Sequence, residues 1–409
     1  MTSSITRQNP IYLDYAATTP VDSRVLEEML PYFSQHFGNS GSRMHGRGLA
    51  AEKAVDDARR RVASLLGVRP AEITFTGGAT ESNSLALTGV AEAWNHDLDL
   101  LVSATEHPSV LETAEYLADR GAHLRILPVR TDGRVDPETL GEILQSLPRI
   151  RPAVVSVMHA NNETGVLNPV GEIAAVCRRH GALFHCDASQ SIGKIPVDVA
   201  AVGADLLTLS AHKFYGPKGV GALYIRRGRP RIAIEPRTRG GGQERGLRSG
   251  TLNVPGIVGL GAASRVAQQE IASERAEIAR LAKLCVACLQ ERLDGVEVNG
   301  SLEHRLPGIL NLSFDGVLGE RLQHAIVDVA ETSTGSACST GKVGPSPTLL
   351  ALGLPISRAN AAVRFSIGRL TSEDEIHTVM DAIVPAVERM RRGCDVEVGR
   401  PVQQTQPQA

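Results

Sequence analysis

Asp205-Leu206-Leu207-Thr208-Leu209-Ser210-Ala211-His212-Lys213, followed by Phe214-Tyr215-Gly216-Pro217-Lys218-Gly219, is the stretch that decides the fold. A short apolar run bounded by turn residues reads as a buried strand, which leaves Lys213 in the loop at its carboxyl end. Ligands of open α/β sheets collect at that edge. Lysine is the basic side chain whose amine loses its proton readily when desolvated, and a neutral amine condenses with a carbonyl. Most lysines are solvated surface residues. The sequence upstream argues otherwise for Lys213.

Upstream lies Leu183-Phe184-His185-Cys186-Asp187-Ala188-Ser189-Gln190, a second short apolar run that ends in an acid. If both runs belong to one sheet, Asp187 and Lys213 share an edge. A carboxylate facing a pyridine nitrogen and a lysine that forms a Schiff base are the two groups that pyridoxal phosphate requires. On these motifs the chain resembles the NifS/IscS-type cysteine desulfurases, a branch of the fold-type I pyridoxal-phosphate enzymes, from about Tyr12 to about Met390. The resemblance implies an α/β fold, with a large domain built on a mostly parallel sheet and a smaller α/β domain.

Composition agrees with a globular enzyme. The chain has 409 residues, of which 22% are charged and 42% hydrophobic, and a net charge of −2 argues against nucleic acid as a direct partner. Arg59-Arg60-Arg61, Arg226-Arg227 and Arg391-Arg392 are short and scattered, as solvated faces are. The first residues lack the apolar core of a signal peptide and no stretch is long and apolar enough to span a bilayer, so a cytoplasmic protein without a membrane partner is expected. Six cysteines in a chain this long suggest no disulfide framework. Cys285 and Cys288 have CxxC spacing, but inside a helical pattern and without a second pair, so no metal site is expected. Cys177 and Cys186 read as helix and strand positions, and Cys394 falls in a polar tail.

Strands and helices alternate from Glu72 onward, which argues for a parallel sheet covered on both faces. Single helices are expected over about 22–35 and 48–66. After the strand at 72–76, Gly77-Gly78-Ala79-Thr80-Glu81-Ser82-Asn83 opens a helix, an arrangement that aims free backbone amides at a phosphate. A glycine turn with a Thr80 or Ser82 cap is the other reading. Thr105-Glu106-His107-Pro108 and His159-Ala160-Asn161-Asn162-Glu163 follow two further strands. Gly240 to Thr251 is glycine-dense and reads as a flexible loop. A long helical stretch over about 254–293 leads to a second alternating region. The expected division is a tail at 1–10, a large cofactor-binding domain at 23–264, a small domain at 11–22 with 265–392, and a tail at 393–409.

The resemblance assigns roles to individual residues. Ala79, Thr80, Ser210 and His212 match positions that hold the cofactor phosphate, and Gln190 one that meets its phenolic oxygen. His107 would stack on the ring and move protons, while Asn162 would contact the ring's oxygen side or the substrate. Thr251 would reach the phosphate of a neighbouring subunit, which implies a homodimer with two shared sites. Gly219 to Ile225 would be a strand running antiparallel within the sheet. Arg364, in Ala362-Val363-Arg364-Phe365-Ser366, reads by itself as a solvent-facing arginine, and by resemblance as the grip on the substrate carboxylate. Arg369 matches a further family position to which no role is attached.

Thr334-Gly335-Ser336-Ala337-Cys338-Ser339-Thr340-Gly341 carries one cysteine among small polar residues, where a thiolate can serve as nucleophile. The implied reaction converts L-cysteine to L-alanine and leaves a persulfide on Cys338. Sulfur would pass to acceptor proteins in iron–sulfur cluster assembly, tRNA thiolation or DNA phosphorothioation. Ser40-Gly41 and Lys342-Val343-Gly344 depart from the usual pattern and bear on the acceptor. The rival readings are a selenocysteine lyase or aminotransferase, which share Lys213 and Asp187 but do not need Cys338, and a non-catalytic scaffold for cluster assembly.

Overall fold

The computed structural model describes residues 9–148, 150–228, 230–334 and 344–393. Seven strands form the main sheet: β2 Ile73–Thr76, β3 Asp99–Ser103, β4 His123–Leu127, β5 Ala153–Ser156, β6 Leu183–Asp187, β7 Leu206–Ser210 and β8 Gly221–Ile225, with β1 Ile11–Tyr12 lying apart. Their spatial order is β2-β8-β7-β6-β5-β3-β4. β8 runs antiparallel to both neighbours and every other pairing is parallel, as the resemblance implied for β8. β2 and β7 therefore run the same way, and β2, β3, β5, β6 and β7 all end on one edge. Strands β2, β3 and β7 are buried along their whole length, as expected where helices cover both faces. Edge strand β4 is mostly exposed and carries His123 and Arg125, charge-bearing groups that discourage pairing with another chain.

The register sets what meets at the common edge. Asp187 lies opposite Thr208, and Gly221 lies between Ser210 on one side and Thr76 on the other. A Cβ on Gly221 would fall 2.6 Å from the Leu209 carbonyl and 2.8 Å from Gly78 Cα, so only glycine lets the β2 turn close onto the sheet.

A second, antiparallel sheet has the order β12-β10-β9, from β9 Val296–Val298, β10 Ile309–Phe314 and β12 Ala362–Ser366, with β11 Ala330–Glu331 outside it. β1 pairs in parallel with β11, which returns the start of the chain to this end of the molecule. The two sheets have separate hydrophobic clusters. The 39-residue helix Val254–Arg292 joins them, giving Leu260, Ala263 and Val266 to the first and Leu281, Cys285 and Leu289 to the second. The helix expected over 22–35 is two, Ser23–Met29 and Pro31–Ser34, divided where Pro31 supplies no amide hydrogen.

Gly240 to Thr251 is no loose loop. Glu244 and Arg245 both adopt left-handed backbone angles, φ 47° and 59°, which cost about 1–2 kcal/mol each. Burial of the Glu244 carboxylate holds them there: it takes Nη1 and Nη2 of Arg59 at 2.8 and 2.6 Å and the Phe75 amide at 2.8 Å. Glu244→Ala leaves the Arg59 cation buried without its partner. Urea denaturation of this variant should show a loss of about 3–5 kcal/mol, and the double variant Arg59→Met/Glu244→Leu a smaller one.

Candidate active site at the carboxyl edge of the parallel strands

β7 ends at Ser210, and one tight turn, Ala211–Lys213, carries the chain over the sheet edge. Lys213 Nζ donates to the carbonyls of Ala16 and Ala17 at 2.8 and 2.9 Å. Those carbonyls belong to the turn after β1, which is fastened to the same place. The Thr19 amide donates to the His212 carbonyl at 2.9 Å, and His212 Nδ1 meets Thr18 Oγ1 at 3.1 Å. The edge is thus closed by a segment nearly two hundred residues away in sequence.

Asp187, at the end of β6, is buried and held by two donors. The Ser189 amide reaches Oδ1 at 2.9 Å and Asn83 Nδ2 reaches Oδ2 at 2.8 Å. Asn83 also donates to Ser109 Oγ at 2.9 Å. The Ser109 amide donates to His107 Nδ1 at 3.1 Å, so Nδ1 is an acceptor and the neutral ring carries its proton on Nε2. Burial lowers the imidazole pKa, which keeps the ring neutral, although the Asp187 charge acts the other way.

These groups line one cavity of about 830 Å³. Lys213, Asp187 and His107 face it together with Asn162 and Gln190. At one end lie Gly78, Ala79, Thr80, Ser210 and His212, with Lys218, Arg237 and Arg248 as basic neighbours. The helix Ala79–Ala93 begins there without a side-chain cap, and Gly78 has φ 148°, so its first amides are available to an anion. Ser189 Oγ, on the cavity wall, is buried without a partner. An amine, a buried carboxylate and an uncapped helix start are the donor set that pyridoxal phosphate needs for its aldehyde, ring nitrogen and phosphate, so the residues fit that group.

Thr251 is exposed and is not among the residues that line this cavity. Nor is Arg364, which corrects the bland reading of a solvent-facing side chain: it is 2% exposed. Its Nη1 donates to the Asn162 carbonyl at 2.9 Å and its Nη2 to Asp14 Oδ1 at 2.6 Å, while Nε is buried without a partner among the described residues. The guanidinium therefore lies directly behind the cavity wall at Asn162. Its backbone pairs in both directions with Ser333. The segment that leads to Cys338 thus leaves from beside Arg364, and Cys338 itself lies outside the described residues. Arg369, left without a role, stacks on the Tyr215 ring at 4.1 Å and pairs with Asp22 and Glu274.

Sequence reasoning missed Asp14, Asn83, Glu106, Ser109 and Lys194. Asn83 had a signal, being one helical turn beyond Ala79 and on the same face. Asp14 and Glu106 meet partners far along the chain, which nothing in the local sequence marks, while Ser109 and Lys194 lie two and four residues from His107 and Gln190. Among the described residues no three His, Cys, Asp or Glu side chains form a group fit for a metal ion, and no helix is long and apolar enough to cross a membrane.

Comparison with known proteins gives the family. The family model for aminotransferase class-V matches residues 11–379. The chain belongs to that family. A cysteine desulfurase IscS of Anaeromyxobacter sp. (strain Fw109-5) is 49% identical over 383 residues, covering 93% of each chain. Among solved structures, a NifS-like protein superposes with a TM-score of 0.84 at 36% identity, over 93% of this chain and 99% of its own. A structure titled SspA in complex with cysteine gives a TM-score of 0.76 at 34% identity, over 88% of this chain and all of the other.

Glu106 gives the site a pH signature. Its Oε1 accepts the Met158 amide, its Oε2 has no partner among the described residues, and burial, with Asp187 close by, raises its pKa well above the usual carboxyl range. The folded chain then binds a proton that the unfolded chain releases above about pH 4, so this carboxyl subtracts stability as pH rises. Glu106→Gln removes that loss. Denaturation at about pH 5 and about pH 8 should show the variant gaining on the parent at the higher value.

Proposed function

We propose that this chain is a pyridoxal-phosphate-dependent cysteine desulfurase that takes sulfur from L-cysteine, releases L-alanine and carries the sulfur as a persulfide on Cys338. The observation that carries the reading is the single cavity faced by the Lys213 amine, the buried Asp187 carboxylate and the uncapped start of the helix at Ala79. Its resemblance to cysteine desulfurases over 93% of its length supports the substrate.

Ala79, Thr80, Ser210 and His212 would hold the cofactor phosphate, Gln190 its phenolic oxygen and Asp187 its ring nitrogen. When bound, the cofactor supplies a carbonyl for the amine and an electron-withdrawing ring. Lys213 would be the base that takes the substrate's α-proton and returns it. Neutral His107, whose Nδ1 is taken by the Ser109 amide, would give its Nε2 proton to the reacting centre and then take one back at the same nitrogen. Arg364 binds the substrate carboxylate, and Asn162 frames the same side. The Cys338 thiolate attacks the substrate sulfur: the S–S bond forms, the Cβ–S bond breaks, and the electron pair returns to the carbon skeleton that leaves as alanine.

The protein acts as a homodimer, with Thr251 serving the neighbouring site. Exposed Leu30, Phe33, Phe37, Met44 and Leu49 give that contact apolar surface. The large domain spans 23–264 and the small one 11–22 with 265–392. The setting is cytoplasmic, and the first acceptor is an iron–sulfur scaffold protein, ahead of tRNA-thiolation and DNA-phosphorothioation proteins.

Cys338→Ser should keep the colour of the bound cofactor and its spectral response to L-cysteine, while persulfide and alanine formation fall by about a thousandfold or more. Sulfide release at the parent rate would favour a lyase. Arg364→Ala should lower kcat/KM for cysteine by about ten- to a hundredfold, chiefly through KM, in steady-state alanine assays.

A further inference from the structure

Gln190 has a second partner that the reading above leaves unused. Lys194, one short turn farther along, donates from Nζ to Gln190 Oε1 at 2.9 Å. Gln190 Nε2 in turn donates to the Ala16 carbonyl at 2.9 Å, the same oxygen that accepts Lys213 Nζ at 2.8 Å. The four groups form a row: Lys194, the Gln190 amide, the Ala16 carbonyl and Lys213.

Chemistry fixes the direction of this row. A lysine ammonium has three donors and no acceptor, so it can hold only the oxygen end of the amide. Gln190 is thereby locked with its nitrogen away from Lys194. One hydrogen goes to Ala16, and the other is left for the cavity that Gln190 lines. Asparagine and glutamine amides ordinarily can turn over at little cost in shape, and here one orientation is selected by charge.

The surroundings of Lys194 are unusual for a lysine kept only for stability. Behind its head is a small void of about 30 Å³ whose wall includes Tyr15, Ala16, Arg275 and Ile278, and no carboxylate is among the described residues that line it. Lys213, Arg364 and Arg275 are the charged groups that face it from the neighbouring elements, and all are basic. Burial first, and then the charges of Lys213 and Arg364, draw its pKa down to about 7, so the ammonium that locks Gln190 is the form held below about that pH. A lysine head enclosed among cations, with a neutral amide as its partner, adds little to folding but acts on whatever occupies the cavity.

We propose that Lys194 is a positioning residue: it holds Gln190 with its amide nitrogen turned into the cavity and sets a positive charge behind it. This rests on the proposed function, because the group that Gln190 would meet is the phenolic oxygen of pyridoxal phosphate. A donor aimed at that oxygen favours its anionic form, and a cation behind the donor disfavours a proton on the Lys213 nitrogen. Both lower the pH at which that nitrogen gives up its proton. The other titratable groups facing Lys213 across the cavity are Asp187, His107, His212 and Lys218, with Arg237, Arg248 and Glu81 farther toward the phosphate end, and the Lys194 variants leave all of them in place.

The test is an absorbance titration of the cofactor-loaded protein, without substrate. A parent that binds no pyridoxal phosphate overturns the functional reading itself. In a parent that does, Lys194→Met should raise the midpoint for the Lys213 nitrogen by about one pH unit, a tenfold change in proton affinity. Lys194→Arg, which keeps the charge and offers donors only, should restore most of the parent value. Gln190→Ala should raise the midpoint as well, and Lys194→Met on that background should add less than it does alone. Lys194→Gln keeps a polar head in the same space and serves where the Met variant does not fold. An unmoved midpoint in either folded neutral variant, with the cofactor bound as in the parent, overturns the proposal.

Discussion

The parallel pairing of β6 with β7 is the constraint from which the rest of the site follows. Residues opposite one another in a parallel ladder stay in step, so Asp187 across from Thr208 puts the acid and the turn carrying Lys213 at one sheet edge. A shift by one residue would turn the Asp187 side chain to the other face of the sheet and remove it from the cavity. β8, antiparallel between β7 and β2, brings the glycine turn to the same edge, with Gly221 as the point of closest approach. Acid, amine and anion-binding helix start are therefore three consequences of one register.

The edge is closed by the part of the chain that is farthest away. The turn after β1 supplies the carbonyls that hold Lys213, and Asp14 from the same segment holds Arg364. β1 itself is fastened to β11, just before the segment that carries Cys338. The first residues of the fold thus touch the amine, the arginine and the root of the cysteine segment at once. These contacts between distant segments are partly buried, so a lost partner leaves a group poorly satisfied.

Charge in the cavity is divided by distance and not by sequence. Asp187 is the acid beside Lys213 and His107, and basic groups gather around Ser210 and Gly78, where the one acid, Glu81, is paired with Arg248. Glu106 and His185, both buried beside Asp187, are driven toward their neutral forms by desolvation, while Asp187 has two donors of its own. Such separation of neighbouring titratable groups is how one cavity holds an acid, a base and a neutral proton carrier together.

The sequence by itself determined the alternation of strands and helices, the edge shared by Asp187 and Lys213, and the glycine turn before Ala79, because each is written in a local run of a few residues. A local signal also marked Cys338 for chemistry, whereas Arg364 was marked only by the family resemblance. Tertiary structure decided what lies outside any local run: that Asn83 steadies Asp187, that Arg364 is buried against Asp14 and the Asn162 carbonyl, and that Lys213 meets the Ala16 and Ala17 carbonyls. It also turned the glycine-dense stretch from a loose loop into one anchored by a buried Arg59–Glu244 pair. Hydrophobic periodicity reports which face of an element is buried. It carries no information on which distant polar group will be met there, and only closure of the chain on itself supplies that.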